Sequence, residues 1–167
     1  MKKLWIVALL LVLTVGAVAC AATPTYVDHV SAESVAMSAL AAFDAFADYI
    51  DGTANNYPFY FGDTAADACI NDRAMMYHKE DKNVNELGVL RLGSEKDAAT
   101  VRAAVEDYLA GQCDYLRGFA QNYSPADMEK IDNAGVEVIG CYVVYYILSP
   151  DDEASALAAV RATVTAQ

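Results

Sequence analysis

The sequence predicts an α+β fold: an antiparallel sheet of about four strands in a β-β-α-β-β-α arrangement, with an added N-terminal helix. Three observations carry that reading. Short apolar runs at 74–78, 86–92, 136–139 and 141–148 have the length and composition of strands. Two helical stretches follow them, each opened by a serine with an aspartate three residues on: Ser94 with Asp97, and Ser149 with Asp152. This is the weaker Asp form of the capping box. Finally, an offset of 55 residues brings Leu87–Val105 onto Tyr142–Val160, with Ala103-Ala104-Val105 falling on Ala158-Ala159-Val160. Each half reads strand, strand, capped helix. The echo is either a duplication or two similar solutions to one packing problem.

Before the first predicted element lies a targeting signal. Lys2 and Lys3 precede a short apolar segment from Leu4 to Ala17, and Ala17-Val18-Ala19 leads into Cys20. A positive start, an apolar stretch and small residues around a cysteine form a bacterial lipoprotein signal. Two other readings share these residues. Ala17-Val18-Ala19 is also an A-x-A cleavage site, which releases a soluble protein, and Leu4 to Ala22 is uncharged over 19 residues, close to the ~20 that span a bilayer. The reading taken is a signal peptide over 1–19, a lipidated linker over 20–30 and a single domain over 31–167. It places the domain on the outer face of the bacterial cell membrane, held by a lipid on Cys20.

Within the domain, Ser31 caps a helix predicted from Ala32 to about Ile50, with Leu40, Phe43, Phe46 and Ile50 at helical spacing. The next stretch contains Tyr57, Phe59, Tyr60 and Phe61 beside two asparagines and Pro58, which reads as a loop. A helical turn is predicted around Ala65 to Asn71, then the strands at 74–78 and 86–92. The helix opened at Ser94 runs to about Phe119, with Val101, Val105, Leu109, Cys113, Leu116 and Phe119 on one face. Ser124-Pro125 opens a short helix ending near Asn133. Val136 to Ile139 alternates, Gly140 marks a turn or bulge, and Cys141 to Leu148 is apolar on both faces, as a central strand is. The last helix runs from Pro150 to about Val164. With strands of this kind the helices are expected on one face of the sheet.

Charge narrows the partners. Without residues 1–19 the chain keeps nine Lys and Arg against 23 Asp and Glu, a net charge of −14. Such a surface repels phosphates, so nucleic acid is excluded as a partner, and anionic lipid headgroups are repelled too. Three cysteines follow the lipidation site: Cys69, Cys113 and Cys141. An odd number in an oxidising compartment permits one disulfide and one spare thiol, and none of their spacings is a zinc or C-x-x-C pattern.

Read in order, the cysteine signal, the Glu86–Leu92 strand and its capped helix, Asn133-Ala134-Gly135-Val136 and Gly140-Cys141-Tyr142-Val143-Val144 resemble small bacterial lipoproteins of the domain of unknown function 4358 family. The likeness covers about Asp67 to Val164. It implies an exported, lipid-anchored domain and assigns no catalytic residue. Cys141 stands where relatives carry Asn after Gly.

The chemistry available is sparse. His29 and His78 are the only histidines, and no nucleophile elbow, zinc-protease, phosphate-loop or EF-hand motif is present. The expected function is a noncatalytic module, membrane-tethered through its lipid, that binds an envelope protein or other envelope component. The alternatives are a small-molecule-binding lipoprotein using Tyr57, Phe59 and Tyr60 as a pocket wall, and a metal-assisted enzyme built on His78, Glu80 and Asp81. No catalytic residue, cofactor or metal ligand set is assigned.

Overall fold

The computed structural model describes residues 25–43, 48–53, 64–80 and 83–166. The order is α1 (Ala32–Ala41), β1 (Tyr49–Asp51), α2 (Thr64–Asp67), β2 (Ile70–His78), β3 (Glu86–Leu92), α3 (Ala98–Tyr123), α4 (Met128–Asp132), β4 (Gly135–Ile139), β5 (Tyr142–Ile147) and α5 (Pro150–Val164). The strands form one mixed α+β domain's antiparallel sheet, in the order β1-β2-β3-β5-β4.

The sheet has five strands rather than about four. The fifth is β1, where a helix continuing to Ile50 was expected. Instead α1 closes at Ala41, and Tyr49, Ile50 and Asp51 pair with His78, Tyr77 and Met76. The apolar spacing at 40, 43 and 50 is compatible with helix, but Ile50 is 51% exposed while Tyr49 is buried. Pairing with β2 as an edge strand overrides the local pattern.

Helices cover both faces of the sheet, not one. On one side α1 and α5 pack Val35, Leu40, Leu157 and Val160 against Leu87, Val89, Tyr142 and Val144. On the other, α3 packs Val101, Val105, Leu109 and Cys113 against Met75, Leu90, Val143, Tyr145 and Ile147. The cause lies in β3 and β5. Every residue of Tyr142–Ile147 is buried, and all of Glu86–Leu92 except Arg91. Strands apolar on both faces need cover on both faces. Among the three tyrosines of β5, Tyr142 and Tyr146 face α1 and α5, and Tyr145 faces α3.

This layering also resolves the internal echo. β2-β3 and β4-β5 are both antiparallel pairs and superpose by a half turn about the sheet normal. That rotation leaves each face where it is. Yet α3 lies over one face and α5 over the other. The halves share a serine ahead of the helix and buried helix positions without sharing a three-dimensional arrangement. They are two solutions to one packing problem.

The first and last described segments meet. Tyr26 forms an antiparallel bridge with Thr165, Val27 N donates to Val164 O at 2.7 Å, and Ala166 N donates to Thr25 O at 2.8 Å. The segment after the bridge is tied down at three points: Arg91 Nη1 donates to Asp28 O, Tyr142 OH donates to Val30 O, and Ala32 N donates to Asp72 Oδ2 at 2.7 Å. Asp72, on β2, thereby caps the start of α1 from across the fold.

Gly140, at φ +57°, opens the two-residue turn with Cys141 that joins β4 to β5. Gly88 has a different role. It lies opposite Tyr145 across the β3–β5 ladder, and a Cβ there would fall 1.8 Å from Tyr145 Cε1. The ring therefore lies over the bare glycine backbone. Gly88→Ala is expected to cost about 3 kcal/mol or more, because neither the ladder nor the enclosed ring has room to shift. Urea unfolding measures it, and a loss below about 1 kcal/mol would show that the ring does not depend on Gly88.

Candidate functional site

Cys20 and the aromatic residues Tyr57, Phe59 and Tyr60 lie outside the described residues, as does Asp81. His78 is described. It ends β2, its ring meets Tyr49 edge-on with centroids 5.4 Å apart, and its Nδ1 accepts from Glu80 N at 3.1 Å. These contacts tie the imidazole to a strand end and a turn. Among the described residues, no three His, Cys, Asp or Glu side chains are grouped to hold a metal ion. Cys69, Cys113 and Cys141 are free thiols. Cys69 and Cys141 reach the end of β3 from opposite sides, through hydrogen bonds from Gly93 N and Leu92 N, so the width of a strand separates them.

Three features outside those expectations stand out. The first is a buried carboxyl group. Glu86 is 2% exposed, on the α3 face of β3. Tyr108 OH donates to Glu86 Oε1 at 2.6 Å, and the Tyr108 ring meets the Tyr145 ring edge-on at 5.6 Å. Burial pushes the Glu86 carboxyl up to about 7, while the hydroxyls of Tyr108 and Tyr145 pull the other way. Burial also holds the Tyr145 hydroxyl well above its ordinary value, with the Glu86 charge adding to it. The apolar run of β3 does not show in sequence that residue 86 is a buried carboxyl with tyrosine partners from α3 and β5.

The second feature is a groove of about 460 Å³ between α3 and the edge strand β4. Leu109, Cys113, Ile131 and Val136 supply its apolar wall, and Arg102 and Glu106 stand at its margin. Those two charges are paired with each other at 2.7 Å. Gly135 sits at the β4 side, where a Cβ would come within 2.7 Å of Tyr146 OH. Tyr146 OH in turn donates to Glu153 Oε1, and Asn133 Nδ2 donates to Glu153 Oε2. These bonds brace the groove's edge against the first turn of α5.

The third feature is an aromatic row on the outside of α3. Tyr115, Phe119 and Tyr123 recur at four-residue spacing, one turn apart. Tyr115 is 75% exposed and Tyr123 73%, and the ring of Phe119 stacks on Tyr123 with centroids 5.1 Å apart. Phe119 was expected on the buried face. It is half-buried and joins the row instead. By its rise α3 is about 39 Å long, against about 20 Å for the six-residue β5. Its final turns lie at the end of the sheet far from Thr25 and Thr165. Arg117 marks that end by bonding Asp132 at 2.8 Å, just ahead of β4. The row was legible in the sequence as 115, 119 and 123, but the apolar stripe that includes Leu116 and Phe119 drew attention inward.

Compared with known proteins, the chain matches no protein family, no curated protein and no solved structure.

The Glu86 carboxyl gives a pH dependence with a definite sign. Its folded value lies near 7, above the ordinary 4.5. Below pH 4.5 both folded and unfolded chains hold the proton. Between 4.5 and 7 the unfolded chain gives it up first, so stability falls as pH rises, by about 3 kcal/mol, and then levels off. In Glu86→Gln that share of the decline is expected to vanish, leaving the variant relatively more stable at pH 8 than at pH 4. Chemical denaturation across this range checks it, and an unchanged slope in the variant would remove Glu86 as its source.

Proposed function

We propose that the protein is a noncatalytic interaction module, held at the outer face of the bacterial cell membrane by a lipid on Cys20. The single observation that carries the interaction reading is the exposed aromatic row on α3. Large aromatic side chains open to water at such levels stand out from the other described aromatics, which are buried or half-buried, and such residues are favoured as anchors at interfaces. The rest of the described surface supports the same direction. Many of its charged side chains are engaged in exposed ion pairs such as Arg102–Glu106 on α3 and Arg161–Glu137 between α5 and β4. The lipid anchor rests on the residues around Cys20 and on the resemblance to lipoproteins of the domain of unknown function 4358 family.

Anchor and row also agree in geometry. Five residue steps separate Cys20 from Thr25, a reach of at most about 18 Å. A lipid on Cys20 would keep the paired ends at Thr25 and Ala166 near the bilayer. The aromatic end of α3 would then point away from it, toward other envelope components.

Two measurements test the proposal. Detergent-extracted protein should carry the mass of acyl chains, and Cys20→Ala should lose that mass and leave the membrane fraction. An unacylated wild-type mass would overturn the anchor. A photoreactive side chain at position 115 should give protein adducts in intact cells, whereas one at Ala158, exposed on α5, should not. Absence of adducts from 115 would overturn the aromatic row as a contact surface.

A further inference from the structure

We propose that the open edge of β4 takes an antiparallel sixth strand, an extended and uncharged segment of another protein, laid along the groove beside α3 with its apolar side chains directed into it. This goes beyond the aromatic row. By helical spacing Tyr115 lies about half a turn around α3 from Glu106, which lines the groove.

The hydrogen bonding of the β4–β5 hairpin fixes which backbone groups are open. A two-residue turn joins the strands, so the closing pair, Ile139 and Tyr142, exchange both backbone bonds. Bonding then alternates, and Gly135, Glu137 and Ile139 serve β5. The N–H and C=O groups of Val136 and Val138 point the other way, off the edge of the sheet. Among the described residues, no backbone bond from a loop, turn or helix reaches these four groups. Edge strands are ordinarily guarded by lysine, proline, a bulge or extreme shortness. β1, at the opposite edge, has three residues. β4 has five, none of them lysine or proline, and its register with β5 is unbroken.

The groove matches this edge in face and in length. Val136 and Val138 pack on the α3 side of the sheet, in the same cluster as Leu109, Cys113 and Ile131. The α3 residues lining the groove run along one flank from Arg102 to Cys113, about 17 Å of helix. Five residues of extended chain cover about the same distance. In an added strand, the residues opposite Val136 and Val138 would place their side chains over the groove. The residue between them, opposite Glu137, would face the α5 side.

Charge selects the occupant. The ions at the rim are matched among themselves, Arg102 with Glu106 on α3 and Arg161 with Glu137 on the α5 side. A neutral strand leaves both pairs intact. A carboxylate would have to compete for an arginine already paired, against a net charge of −14 after residue 19. A second copy of this chain fits poorly. Antiparallel pairing of two β4 edges through both open residues sets each Val136 across from a Val138. It then brings the two Glu137 side chains directly opposite each other, where like charges destabilise a sheet.

The test uses the full-length, detergent-extracted protein and a labelled peptide of alternating valine and threonine with blocked ends. Fluorescence anisotropy should show saturable binding that added salt leaves unchanged. N-methylation of the valines removes the N–H groups that face β4 and should weaken binding about tenfold or more. N-methylation of the threonines, whose N–H groups face water, should change it less than about twofold. Val138→Pro removes an open N–H but no bond to β5, and should abolish binding while the circular-dichroism spectrum is kept. The methylated peptides read the same edge on the unaltered protein, however that variant folds. Equal or reversed effects of the two methylations, full binding by folded Val138→Pro, or no binding of the unmethylated peptide would each overturn the proposal. A wild-type dimer that Val138→Pro dissolves would assign the edge to a second copy and overturn it as well.

Discussion

β3 and β5 meet at the centre of the sheet with nearly every side chain on both faces out of water. Neither helix layer is therefore optional. Remove α3 and the ring of Tyr145 is exposed, together with Leu90, Val143 and Ile147. Remove α1 and α5, and Tyr142, Val144, Leu87 and Val89 are exposed instead. Each large side chain buried this way contributes about 1.5–3 kcal/mol, so the two layers stabilise one another through the strands they share. The contact of Tyr145 with Gly88 is the tightest point of that centre. The ring occupies the place where any other residue would put a side chain, and its hydroxyl end lies in the neighbourhood of Glu86.

Much of this arrangement was readable from the chain. β3 and β5 are signalled by short apolar runs, and the long helix and the last helix by apolar period and a serine ahead of them; Ser149 does accept from Asp152 N, while Ser94 accepts from Lys96 N. The double-sided apolar run from Tyr142 to Leu148 even stated that β5 is central. What it did not state is which face each helix takes. Serine caps and buried helix positions are identical for a helix above the sheet and one below it, so α3 and α5 look alike in sequence and pack on opposite sides. β1 was missed for a related reason. Three residues cannot display a period of two against the helical spacing of their neighbours, and only the partner strand decides.

The proposed contact surface was less legible. Exposure of Tyr115 and Tyr123 is a property of where α3 runs relative to the sheet. A helix longer than the strands beneath it leaves its final turns without a full layer to cover. Aromatic residues there are indistinguishable by spacing from those that a longer sheet would bury. Glu86 poses the opposite problem. A carboxylate in a strand is ordinarily read as an outward position, and only the tyrosines brought by α3 and β5 reveal it as an interior group.

The joined first and last described segments bear on how the domain would respond to force. A pull on the segment before Thr25 is met first by the short antiparallel bridge to α5's end, and by Tyr26 lying against Gly140. Behind these stand Tyr142 holding Val30 and Asp72 holding Ala32. The attachments are arranged in series along one strand-like segment, so they would peel one at a time rather than shear together. The sheet itself would feel the load only after α1 began to lift. Such a segment acts as a strain relief, giving up length under tension while the surface carried by α3 keeps its shape.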